Sequence, residues 1–99
     1  MSSSLGSRTH RQRCDAVSAV LKALAHPVRL CIATGVLTHE CNVSRMVQRL
    51  AFAQPVVSQH LRVLVRAGVL VARRDGTRRC YRVVEPGPKK IVEALARLL

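Results

Sequence analysis

Gln54, Ser58, Gln59, His60 and Arg62 crowd one short stretch, and each carries a side chain that hydrogen-bonds to flat polar edges. A glutamine amide makes a paired contact with adenine, a serine hydroxyl bonds several base edges, and arginine pairs with guanine or phosphate. Val56 and Val57 lie among them and have two destinations, a thymine methyl or the core. A short way on, Arg73, Arg74, Arg78, Arg79 and Arg82 flank the turn signal Asp75-Gly76. Five arginines on one ribbon repel one another unless a polyanion lies beside them. Such a ribbon suits a minor groove or a run of phosphates.

The elements that must hold these groups follow from spacing. Pro55 opens a helix over 55–67, where proline is tolerated in the first turn. Leu61, Leu64 and Val65 face inward, and Gly68 supplies a left-handed stop. The wing 69–84 reads as a hairpin, with strands at 69–72 and 80–84. Upstream, Val17, Val20, Leu21 and Leu24 give a helix over 11–25. His26-Pro27 ends it, because the residue before proline avoids helical angles. A second helix runs 27–37, with Leu30, Cys31, Ala33, Thr34 and Leu37 as its apolar stripe. Asn42 suits the N-cap of a third helix over 43–50, with Val43, Met46, Val47 and Leu50 on one face. Residues 51–54 make a tight turn. After Glu85-Pro86-Gly87-Pro88, a last helix over 89–99 shows Ile91, Val92, Leu95 and Leu98.

The fold class is therefore mainly α with a β-hairpin wing, in the order α1-α2-α3-α4-β1-β2-α5. The third and fourth helices, joined by a tight turn, form a helix-turn-helix. Residues 1–10 are expected to be a disordered N-terminal arm and 11–99 one domain for DNA binding and dimerisation. The chain has 99 residues, so its core is thin. The last helix keeps an apolar face that one small domain cannot cover, which points to a homodimer.

Seventeen Lys and Arg stand against five Asp and Glu, a formal net charge of +12, and lysine occurs only at 22, 89 and 90. That balance points to a polyanionic partner, double-stranded DNA. One Phe, one Tyr and no Trp argue against a single-strand stacking platform. Neither a run of about 18 apolar residues nor a secretory signal is seen, so a cytoplasmic location is expected. The four cysteines (Cys14, Cys31, Cys41, Cys80) are then expected as reduced thiols, with no Cys-x-x-Cys pair for a zinc ribbon. An enzyme is not indicated: there is no nucleophile motif, no glycine-rich phosphate loop and few carboxylates.

Leu24-Ala25-His26-Pro27-Val28-Arg29-Leu30, Gln54 to Leu61, Ala67-Gly68-Val69-Leu70 and the arginine hairpin through Tyr81-Arg82 together resemble the ArsR/SmtB (arsenic-repressor) family. The resemblance covers nearly the whole chain from about Arg11. It implies a bacterial or archaeal repressor that dimerises through its first and last helices. Helix 55–67 and the wing then read an operator palindrome through Gln54, Pro55, Val57, Ser58, Gln59, His60, Arg62, Arg73, Arg74, Arg78 and Arg79. An inducer bound elsewhere releases it.

The family's inducer motifs are not reproduced. Asn42 and Ser44 fall where some members carry a Cys-x-Cys pair, with Cys41 one residue early. The last helix offers only Glu93 to a metal. Thr34 falls near one cysteine of the persulfide-sensing members, and no cysteine follows Cys80. The remaining arrangement is Cys14 reaching Cys41 of the other subunit, with Cys31 or His39 contributing. Thiolates there suit As(III), Cd(II), Zn(II) or Cu(I), or reversible oxidation. Each cysteine is otherwise a small apolar residue. The alternative is a constitutive winged-helix module for DNA or protein binding, with no small-molecule sensor.

Overall fold

The computed structural model describes residues 8–39, 41, 43–50 and 52–99. Its order is α1 (His10–Leu24), α2 (Pro27–Val36), α3 (Val43–Leu50), α4 (Gln54–Arg66), β1 (Leu70–Asp75), β2 (Arg78–Val83) and α5 (Gly87–Ala96). The expected order therefore stands, with ends shifted by a few residues. The two strands pair antiparallel, Leu70 opposite Val83 through Asp75 opposite Arg78. Asn42, expected as an N-cap, lies outside the described residues, as do the side chains of Val47 and Leu50.

Local chemistry sets the helix ends. Thr9 and His10, expected in the N-terminal arm, instead begin α1. The Gln12 amide donates to the Thr9 hydroxyl at 3.1 Å, and the Thr9 amide donates to the Gln12 side chain at 2.9 Å. This reciprocal capping box satisfies two amides that the helix leaves free. His26 caps α2, its Nδ1 accepting from the Val28 amide at 3.2 Å. At the end of α4 the Gly68 amide donates to Val65 and the Val69 amide to Leu64. That is a Schellman closure, and Gly68 takes the left-handed φ of 82° it requires. Leu64 and Val69, the side chains that clasp across it, are both fully buried.

One core lies beneath these elements. It joins Val20 and Leu24 of α1, Ile32, Ala33 and Val36 of α2, Val43 and Met46 of α3, and Val57, Leu61 and Leu64 of α4 to Leu70, Tyr81, Val83 and Val92. Each fully buried Leu, Val or Ile contributes about 1.5–3 kcal/mol. The inward face of α2 differs from expectation. Ile32 and Val36 are buried with Ala33, while Cys31 is exposed. The helix is almost wholly apolar, so its periodicity did not single out one stripe, and packing against α4 and α3 chose it. Val65, expected inward, is 38 % exposed, as are Val17 at 45 % and Leu21 at 48 %. Among the described residues no single helix is long and apolar enough to cross a membrane.

Candidate nucleic-acid interface

The start of α4 stands clear of the core. Pro55 and Gln59 are exposed, Ser58 is half-buried and Arg62 is exposed one turn on. Gln54 is the first residue of the helix, and its side chain lies outside the described residues. Val57 is fully buried, so of its two destinations it takes the core and leaves the groove-facing surface. The reason is spacing: Val57, Leu61 and Leu64 follow one another by four and three residues on one stripe. Val56, on the other side, is 43 % exposed and is the valine free to meet a base methyl.

His60 points sideways. Its ring centroid is 4.6 Å from that of His26, and its Nδ1 is buried with no hydrogen-bond partner among the described residues. Burial lowers its pKa from the usual 6.5, and the nearby His26 and Arg29 lower it further. The ring of His60 is thus packed beside His26 at the joint of α4 and α2, and only part of it remains on the surface. Arg29 ties α2 to α1, its Nε donating to the Ala23 carbonyl at 2.7 Å.

Beside α4 stands the wing. Arg73, Arg74, Arg78 and Arg79 are all exposed. The alternation of the strands puts Arg74 and Arg79 on the face of Leu70, Tyr81 and Val83, which turns toward α4. A cleft of about 400 Å³ runs between helix and wing, lined by Arg62, Arg66, Arg73, Arg74 and Arg79 over Leu61 and Tyr81. Arg66 was missed in the sequence, although it follows Arg62 by one helical turn and so shares its face. The cleft is a concave cationic surface with an apolar floor, suited to a phosphate backbone and too open to enclose a small molecule.

The cysteines are not all reduced thiols, contrary to expectation. Cys41, in the connection before α3, is joined to Cys80 of β2 as a disulfide, with Cα atoms 4.2 Å apart. In this oxidised form Cys41 is not free to be the partner expected for Cys14. The sequence separation of 39 hides the proximity, and only the packing of the hairpin against the connection creates it. Cys14 and Cys31 are free and exposed. Cys14 Sγ lies 3.6 Å from His10 Nε2, one turn back on α1. His39 is half-buried beyond the end of α2.

A helix-turn-helix carrying a groove-facing helix and an arginine hairpin defines a winged-helix DNA-binding protein. No protein-family model matches the chain. It is 37 % identical over 84 residues to the biofilm growth-associated repressor of Agrobacterium fabrum, covering 85 % of this chain and 72 % of that one. It is 39 % identical over 75 residues to the repressor SmtB of Mycobacterium tuberculosis, covering 76 % of this chain and 56 % of that one. The crystal structure of the repressor BigR from Xylella fastidiosa superposes with a TM-score of 0.78 at 32 % identity, covering 90 % of this chain and 88 % of that one. The chain belongs to the ArsR/SmtB family of winged-helix transcriptional repressors.

Proposed function

We propose that this chain is a homodimeric operator-binding repressor of the cytoplasm, released by a thiophilic or thiol-redox signal. The observation that carries the DNA reading is the arginine-lined cleft between α4 and the wing. Ser58, Gln59 and Arg62 enter the major groove with Gln54, and Val56 meets base methyls there. Arg66, Arg73, Arg74, Arg78 and Arg79 grip the flanking phosphates, which orient the protein without reading sequence.

The dimer is supported by apolar surface. Val17 and Leu21 of α1 are about half exposed, and Leu98 and Leu99 beyond α5 are 80 % and 79 % exposed. An apolar cleft between the two helices is lined by Ala16, Val17, Val20, Pro88 and Ile91. Covering these faces with a second copy would set two α4 helices on successive major grooves.

The experiment is DNA binding by fluorescence anisotropy over a range of salt, alongside sedimentation equilibrium. Arg78→Ala with Arg79→Ala should weaken binding to every sequence and flatten the salt dependence. Ser58→Ala with Gln59→Ala should change sequence preference more than non-specific affinity. Unchanged binding in both variants would overturn the reading.

A further inference from the structure

The disulfide brings a third group with it. The Cys41 and Cys80 sulfurs and an Asp75 carboxylate oxygen all lie within 4.8 Å of one another. Cys80 is fully buried, Cys41 half-buried and Asp75 exposed at the hairpin turn. We propose that the reduced Cys41–Cys80 pair, with Asp75, is a site for a thiophilic divalent cation that ties the α2–α3 connection to the wing.

Coordination chemistry carries the argument. Two thiolates and a carboxylate form a soft S₂O set that selects Zn(II), Cd(II) or Hg(II) over hard cations. Two sulfurs on one tetrahedral zinc, each about 2.3 Å from it, stand about 3.8 Å apart, against about 2 Å in a disulfide. Breaking the S–S bond and turning the two side chains slightly opens that gap without moving the backbone. The carboxylate closes in from a distance a side-chain rotation covers, and a water or an external thiolate takes the fourth position.

Charge fits as well. Two thiolates and one carboxylate outweigh a dication by one negative charge. The filled centre is therefore a small anion on the ribbon face shared with Arg73 and Arg78. Among the described residues Cys14 and Cys31 are exposed and belong to no such cluster, Cys14 having His10 one turn back on its own helix.

Oxidation and metal binding exclude one another. A dithiol reductant passes two electrons and two protons to the disulfide, becomes a disulfide itself and leaves Cys41 and Cys80 as thiols. The cation then displaces both thiol protons, and the Asp75 carboxylate completes the protein ligands. Whichever form is present, the connection before α3 is tied to the ribbon whose arginines lie beside α4. The consequence for operator binding rests on the function proposed above; the binding site does not.

The test uses the full chain, reduced with a phosphine and titrated anaerobically with Cd(II), without DNA. A thiolate-to-cadmium absorption band should saturate at one cation per chain. Alkylation read peptide by peptide in the unmutated protein should show Cys41 and Cys80 protected by Cd(II), and Cys14 and Cys31 still reactive. Cys14→Ser with Cys31→Ser should keep the band, Cys41→Ser should abolish it, and Asp75→Asn should weaken Cd(II) affinity. Protection centred on Cys14, or a full band in Cys41→Ser, overturns the proposal. DNA affinity of the reduced, metal-free protein is measured separately. Its absence would sink the proposed function and leave the cadmium result standing.

Discussion

Arg74 and Arg79 sit directly opposite one another across the two strands of the wing, both exposed, on the face that turns toward α4. Like charges directly opposite one another on a ribbon destabilise it. The fold bears that cost on the surface where a phosphate backbone would relieve it. Arg74→Ala with Arg79→Ala should hold thermal stability or raise it slightly, while DNA affinity falls. The log–log salt slope should shrink by about 0.9 for each phosphate that the variant no longer neutralises. A drop in stability with unchanged DNA binding would show that the pair supports the fold alone.

His60 makes stability depend on pH. Burial holds its folded pKa below the usual 6.5, so the unfolded chain binds that proton more readily. Its stabilising contribution is therefore present above pH 6.5 and is lost as pH falls from there through the folded pKa. Melting temperature should drop across that window. His60→Phe should flatten part of the drop, because the substituted ring does not titrate and leaves no buried nitrogen without a partner. An equal slope in wild type and variant would overturn the assignment to His60.

Gly35 lets α2 and α3 approach closely. A Cβ there would overlap the Met46 side chain, with its Sδ the nearest atom. Overpacking costs about 1–3 kcal/mol. Exchanging glycine for alanine inside a helix returns about 1 kcal/mol. Gly35→Ala should therefore destabilise by about 1 kcal/mol in denaturant melts. Placed in a Met46→Ala background, the same change should become stabilising. Additive effects of the two substitutions would contradict the close approach.

How much was legible in advance varied by element. Pro27, Pro55, Gly68 and the Asp75-Gly76 turn announced the boundaries because each restricts the backbone locally. The amphipathic face of α4 separated inward Leu61 and Leu64 from outward Gln59 and Arg62 for the same reason. α2 was harder: almost all of it is apolar, and its buried stripe of Ile32, Ala33 and Val36 was set by neighbours. Val57 was legible as a residue near a groove and not as one turned into the core. Successive helix positions lie about 100° apart, and packing determines which of them faces in.

Taken alone, the amino-acid sequence determined the order of elements, the basic hairpin and the family, all of which rest on local backbone preference, charge and short-range spacing. Tertiary structure decided which groups from distant positions meet. It brought Arg62 and Arg66 across from Arg74 and Arg79, set the His26 ring beside that of His60, and set Cys41 against Cys80 and Asp75. Such contacts depend on how the hairpin and the helices pack over a shared core, and no local preference along the chain encodes that distance.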